Sequence, residues 1–225
     1  DVYKRQILRN GMIGMGKARI IVKGNLFAKF MEYTDVEVDG FVEADSAINC
    51  NVVSNDKVIF NGGHASIVGG KVYGCAGIEV QNLGNDAFIK TEVHVGVHKK
   101  IKIKIAELEK LVDQKQMLLN NINAGIKQIE QMMGSAADGM NLEEKKLALV
   151  RAKIEKTAEL TEDKEELERL KGIVERSTGA TVQVLEHVYP NVEVCINNSK
   201  LVTKEEFDKI EFKEQDKAVV MLSMK

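Results

Sequence analysis

The sequence contains no tryptophan, one proline, and aromatic residues at only 5% of its 225 positions. A core built on large rings is therefore excluded, and aliphatic side chains must fill whatever interior exists. Three cysteines, Cys50, Cys75 and Cys195, are too widely spaced for a disulfide framework or a clustered metal motif. Charge of one sign is also missing. Thirty-two Lys and Arg face 34 Asp and Glu, a formal net charge of -2, which argues against a dedicated polyanion binder. No apolar run approaches the roughly 20 residues that span a bilayer. No charged-then-apolar leader opens the chain, so a cytoplasmic location is expected. What is present, 44% hydrophobic and 29% charged residues, is the composition of a folded protein.

The opening hexapeptide, Asp1-Val2-Tyr3-Lys4-Arg5-Gln6, reads as the in-frame translation of a transposon sequencing adapter, and no methionine initiates the chain. Residues 1–6 are accordingly set aside from fold reasoning as an artefact. The expectation is a fragment that lacks its true N-terminal segment.

Beyond this point the chain is made of two materials. Residues 7–98 hold 13 of the 18 glycines, whereas residues 99–178 hold four glycines with 16 basic and 15 acidic residues. Within the glycine-rich stretch a single pattern recurs: apolar, any, apolar, any, then Gly or Asn. It occurs at Ile20-x-Val22-x-Gly24, Val36-x-Val38-x-Gly40, Val58-x-Phe60-x-Gly62 and Ile78-x-Val80-x-Asn82. Alternate apolar residues face one side of a strand, and Gly or Asn suits a corner with positive φ. Short strands returning after about 20 residues describe a β-solenoid. Ile48-x-Cys50 and Val93-x-Val95 would form further sides. The rival is a set of hairpins in a sandwich, but tight-turn pairs are scarce apart from Asp39-Gly40.

Residues 101–133 change period. Ile101, Ile105, Leu108, Val112, Lys115, Leu119, Ile122, Ile126, Ile129 and Met133 follow alternating steps of four and three, a coiled-coil seam. Gly134 to Gly139 supplies a turn, and Asn141 with Glu144 resembles a capping box for a second helix. That helix offers Leu147, Val150, Ile154, Thr157, then Leu160 or Thr161, Asp163, Leu167, Leu170 and Val174 as its seam. Folded antiparallel, Ile129 meets Leu147, Ile126 meets Val150 and Ile122 meets Ile154. After a slip of one residue, Val112 meets Asp163, Leu108 meets Leu167 and Ile101 meets Val174. Each arm would be about 50 Å long at ~1.5 Å per residue. The polar break around Lys115, Thr157, Thr161 and Asp163 reads either as a register-fixing ion pair or as a hinge or partner site. After Gly179 the β pattern resumes with Val182-x-Val184, Val194-x-Ile196-x-Asn198, Leu201-Val202 and residues 218–222. The expected fold is mainly β: a right-handed β-helix (β-solenoid) interrupted by a long antiparallel α-helical coiled-coil hairpin. Its divisions are 7–98 for the solenoid, 99–178 for the hairpin, and 179–225 for the β return that completes the solenoid.

Candidate chemistry is sparse. His64, His94, His98 and His187 are scattered. His94 and His98 stand four apart, but on a strand end, which is a weak zinc signal. Gly62-Gly63 and Gly69-Gly70 carry no Walker lysine and no complete GxGxxG fingerprint, so they read as corners. Asp35, Glu37, Asp39, Glu43 and Asp45 could line a catalytic face, although alternation with apolar residues is the ordinary pattern of a solvent-facing strand. Lys99, Lys100, Lys102 and Lys104 form a basic run at the hairpin root. Cys50 reads as core. No catalytic, cofactor-binding or metal-binding residue is assigned.

Residues 66–73 (Ser-Ile-Val-Gly-Gly-Lys-Val-Tyr), 77–84 (Gly-Ile-Glu-Val-Gln-Asn-Leu-Gly), 91–97 (Thr-Glu-Val-His-Val-Gly-Val) and 188–196 (Val-Tyr-Pro-Asn-Val-Glu-Val-Cys-Ile) resemble the flagellar assembly protein A family, formerly a domain of unknown function. So does the order of solenoid, helical hairpin and β return, over residues 18–202. Asn191 stands where glycine is expected, a change that a left-handed turn tolerates. The resemblance implies a non-enzymatic cytoplasmic scaffold or regulatory protein. Its partners would be proteins, among them flagellar-assembly or sugar-phosphotransferase regulatory components, and no cofactor or small-molecule substrate is implied. Self-association through open strand edges is a further expectation. Two other classes stay open: a polysaccharide-acting β-helix enzyme, and a nucleic-acid or membrane-surface adaptor using the lysine-rich root.

Overall fold

The computed structural model describes residues 2–97, 99–133 and 139–224. Its β-structure is a coil of about four turns in which successive strands pair in parallel. The strands are β1 (Val2–Leu8), β2 (Met12–Val38), β3 (Val42–Ser54), β4 (Lys57–Phe60), β5 (Ser66–Gly74), β6 (Gly77–Leu83), β7 (Thr91–Val95), β8 (Val182–Val188) and β9 (Val192–Ile196).

Three columns of aliphatic side chains fill the interior. The first stacks Leu26, Val42, Val58, Ile78 and Val182. The second stacks Met31, Ala47, Ile67, Leu83 and Val188, and the third Val36, Val52, Val72, Val93 and Val194. All are at most 1% exposed. Full burial of a valine or leucine contributes roughly 1.5–3 kcal/mol of transfer free energy, so the columns supply the aliphatic core that the shortage of rings requires.

The columns correct the repeat read from spacing. Val58 and Ile78 are true neighbours, but Val36 belongs to the third column and Val58 to the first. Val93-x-Val95 shares the third column with Val36-x-Val38 instead of forming another side. Turns differ in length, so a step of 22 residues crosses from one side to the next. The corners also differ from expectation. Gly24, Gly40, Gly62 and Asn82 are not left-handed, whereas Tyr33 (φ 50°), Asn49 (φ 49°) and Gly69 (φ 67°) are. Gly40 is required for closeness: a Cβ there would meet Asn25 Oδ1 at 2.0 Å and the Gly24 carbonyl oxygen at 2.8 Å. Asn191 does take the left-handed conformation (φ 67°), and its amide donates to the Phe88 carbonyl at 2.8 Å.

Residues 2–6, set aside above, lie within β1, parallel to β2 with a register shift between Tyr3 and Arg5. An open strand edge offers unpaired backbone N–H and C=O groups to an extended segment whatever its origin. At the other end the parallel order stops. Strand β10 (Ser199–Val202) runs antiparallel to β9. Strand β11 (Phe207–Gln215) runs antiparallel to β8 and to β12 (Ala218–Ser223). Asp216 and Lys217, both with positive φ, make the two-residue hairpin turn whose twist matches its strands. Phe212, fully buried, covers the last turn.

Two helices, α1 (Lys99–Met133) and α2 (Gly139–Arg176), enter the chain between β7 and β8, and Lys100–Gly172 forms a compact unit of its own. The residues 134–138 expected to form the turn lie outside the described residues. Asn141, expected as a cap, is already inside α2. In α1 all ten seam positions are less exposed than their immediate neighbours, apart from Asn123 and Gly125, which are half-buried as well. Ion pairs join the helices: Lys104 to Glu166 (2.6 Å), Glu109 to Lys171 (3.0 Å), Lys115 to Asp163 (2.6 Å) and Glu159 (3.2 Å), and Glu130 to Lys146 (2.8 Å).

The expected slip of register in α2 does not occur. Leu147 and Ile154 are 51% and 66% exposed. Val150 is half-buried as expected, but Leu142, Leu149 and Lys156 share the less exposed positions with it, and Leu149 Cδ1 is placed 3.4 Å from where a Cβ on Gly125 would lie. In a continuous helix, positions three and four residues apart share one face. The stripe set by Leu160, Leu167 and Leu170, all buried, therefore continues to the other end of the helix.

Candidate functional site

The outward face of the third side carries a polar ladder, because residues that alternate with the valine column point to solvent. Register places Asp35, Asn51, Lys71, Glu92 and Glu193 side by side on successive turns. A second row runs Glu37, Val53, Tyr73, His94 and Cys195. Beside the first row lies an open cleft of about 520 Å³ bordered by Tyr33, Asp35, Asn51, Lys71, Lys90 and Glu92.

Charges on this face are arranged in pairs. Lys90 Nζ donates to Glu92 Oε1 at 2.5 Å, and Lys200 Nζ donates to Glu193 Oε1 at 2.6 Å. The Lys90 bond holds the Glu92 carboxyl below the usual carboxylate range, against the opposing effect of burial. The Glu193 bond in turn raises the Lys200 ammonium. Glu92 and Glu193 are direct neighbours in the ladder, and His94 stands two residues further along β7, opposite Cys195, with Nε2 at 3.6 Å from Glu92 Oε2. Burial pushes its imidazole below the ordinary histidine value, and Lys71 adds to that effect. Burial also raises the Cys195 thiol, which keeps it a poor nucleophile.

The other candidate residues do not converge. Asp35, Glu37 and Asp39 follow the third side, whereas Glu43 and Asp45 belong to the first. Glu37 is paired with Arg19 at 2.7 Å, Asp39 accepts from Asn55 at 3.1 Å, and Glu43 accepts from Asn61 at 2.9 Å. Cys50 is 1% exposed in the core, as expected, and Cys75 and Cys195 are buried and free. His64 is exposed in a turn, and His187 Nδ1 lies 2.5 Å from Asp208 Oδ1 on the strand pair β8–β11. His98, the suggested companion of His94, lies outside the described residues, as does the side chain of Lys99. Of the other root lysines, Lys104 is occupied by Glu166.

Sequence reasoning missed the approach of Glu193 to Glu92, since 101 positions and two helices separate them. A signal was present. Thr91-Glu92-Val93-His94-Val95-Gly96 and Val192-Glu193-Val194-Cys195-Ile196-Asn197 follow one pattern, and they stack as β7 on β9. The pattern ends at Gly96 and Asn197. A Cβ on Gly96 would meet Asn197 Oδ1 at 2.3 Å.

Compared with known proteins, residues 6–219 match the family model described as the Flagellar Assembly Protein A beta solenoid domain. No curated protein and no solved structure matches.

Proposed function

The chain belongs to the flagellar assembly protein A family, and from that premise we propose that it is a non-enzymatic cytoplasmic scaffold or regulatory protein of flagellar assembly. In this reading it works through contacts with other proteins. The observation that carries the proposal is the family match over residues 6–219.

Several features support it. The three aliphatic columns and the backbone ladders between turns make a stiff support. We take the coil as right-handed, the hand of about 98% of parallel β crossovers. The helices α1 and α2 form an antiparallel coiled-coil hairpin in this proposal. The cross-helix ion pairs support that arrangement, since residues early in α1 (Lys104, Glu109) pair with residues late in α2 (Glu166, Lys171), and Glu130 pairs with Lys146. Lys115 with Glu159 and Asp163 then acts as the register-fixing group. Exposed apolar residues on the helices, among them Met117 (67%), Leu147 and Ile154, are of the kind a partner helix or groove covers. The acidic residues considered for a catalytic face are divided between two sides of the coil, and three of them are engaged by Arg19, Asn55 and Asn61. Among the described residues no helix is long and apolar enough to cross a membrane.

The test is affinity capture from cells with the intact chain and with a chain deleted for residues 101–175. The expected result is that specific protein partners are held by the intact chain and lost on deletion. Partners retained in full by the deleted chain would argue against the helices as the interacting arm.

A further inference from the structure

A half-buried group of three potential metal ligands lies on the outer face of β7 and β9. Glu92, His94 and Glu193 each place one donor atom so that all three lie within 4.8 Å of one another. Within the group, His94 Nε2 is buried and has no hydrogen-bond partner among the described residues. Buried polar atoms are almost always satisfied, and an exception calls for an explanation such as an ion. Glu92 Oε2 is 3.6 Å away, beyond hydrogen-bond range.

That same separation suits a shared cation. Bonds of about 2.0–2.2 Å to a tetrahedral centre separate donor atoms by roughly 3.3–3.6 Å. We propose that Glu92, His94 and Glu193 bind a divalent transition-metal ion of the Zn²⁺ or Co²⁺ type. One imidazole nitrogen and two carboxylate oxygens are a donor set suited to such borderline ions, whereas Mg²⁺ and Ca²⁺ favour all-oxygen sites. Three protein ligands leave at least one position for water.

The surroundings prepare the carboxylates for this role. Lys90 holds Oε1 of Glu92, and Oε2 is the atom near His94. Lys200 holds Oε1 of Glu193 in the same manner. Partners of this kind orient ligating carboxylates, yet their positive charge also opposes a cation. The site is thus a balance between orientation and repulsion, with Lys71 adding to the repulsion through its place beside Glu92 in the ladder.

The ligands come from the two sides of the helical insertion. Glu92 and His94 precede α1, and Glu193 follows α2. A bound ion would join the last strand before the helices to its parallel neighbour after them. It would thereby reinforce the closure, across about 100 residues, that the β7–β9 ladder already makes.

The experiment uses the full chain, titrated with Co²⁺ and read by visible absorption, and with Zn²⁺ read by calorimetry and thermal melting. One equivalent is expected to bind, with tetrahedral Co²⁺ bands and a raised Tm. His94→Ala and Glu193→Gln should each weaken binding by about tenfold or more, and the second keeps an acceptor for Lys200 if the first fails to fold. Lys200→Ala should change the binding affinity, because it removes both the orienting bond to Glu193 and an opposing charge, whereas loss of an ion pair unconnected with the site would not. His187→Ala, which removes the separate contact with Asp208, should leave it unchanged. The proposal is overturned if the intact chain shows neither bands nor a Tm shift. It is equally overturned if binding survives both ligand substitutions, or if it is lost only with His187→Ala.

Discussion

Substituting Gly70 by alanine tests the stacking of turns directly. Gly70 has φ +69°, and a Cβ built there lies 2.2 Å from the Cys50 carbonyl oxygen and 2.7 Å from the Cys50 nitrogen. Real Cβ atoms essentially never approach within 3.0 Å, so the Cys50 backbone directly across the ladder must give by roughly 0.8 Å. Gly179 is the matched control, because its φ is +75° and nothing lies within 4 Å of its Cβ position. Gly179→Ala therefore carries only the left-handed penalty, about 1–2 kcal/mol. Gly70→Ala carries that plus an overpacking cost of about 1–3 kcal/mol, a total of about 2–5 kcal/mol. In a chain of this size each kcal/mol lowers Tm by about 2–4 °C. The absence of tryptophan makes the assay selective. The four tyrosines, at positions 3, 33, 73 and 189, all lie outside the Lys100–Gly172 unit, so tyrosine emission reports melting of the coil without the helices. Equal losses in the two variants would refute contact with Cys50 as the reason for glycine. An unperturbed Gly70→Ala would refute the register itself.

Two predictions concern the helices. Leu167→Ala, at a side chain 6% exposed, should lose about 2–4 kcal/mol in unfolding followed at 222 nm, and Ile154→Ala, at 66% exposed, should stay within about 0.5 kcal/mol of the parent. Comparable losses at the two sites would instead favour the slipped register. Glu166, which accepts from Arg169 at 2.7 Å and Lys104 at 2.6 Å, has its carboxyl held down to about 2 against an ordinary 4.5, chiefly by Arg169. A lowered folded-state value means that its stabilisation is complete above pH 4.5 and is lost as pH falls towards 2. Allowing for solvent screening of a side chain 30% exposed, this amounts to about 1–2 kcal/mol. Between pH 6 and pH 3 the parent should therefore lose more helix stability than Glu166→Gln, and identical pH profiles would contradict the assignment.

The site was less legible than the fold. Thr91 to Gly96 and Val192 to Asn197 both read as strands from their alternation, but nothing in either segment states that they are neighbours. Their pairing depends on the chain returning, after two helices, to the side it left. Cys50 was legible as core because burial of an apolar-x-apolar triplet is a local property. The acidic series from Asp35 to Asp45 was misleading for the same local reason. It is continuous in sequence, yet it turns a corner near Gly40, and its members face different directions.

By itself the sequence determined that residues 101–133 are a helix with one seam, that short strands with inward aliphatic residues lie on both sides of the helices, and that no aromatic core is formed. Each of these follows from side-chain period, which a window of a few residues contains. Only the tertiary structure decided which triplets share a column, which of two stripes on α2 is covered, and that Glu193 stands beside Glu92 and His94. Those outcomes depend on turns of unequal length, on the steric fit of Gly40 and Gly70 against the turn before, and on one helix keeping a single face along its length. Such constraints act between residues far apart in the chain, and a local pattern compatible with several pairings cannot choose among them.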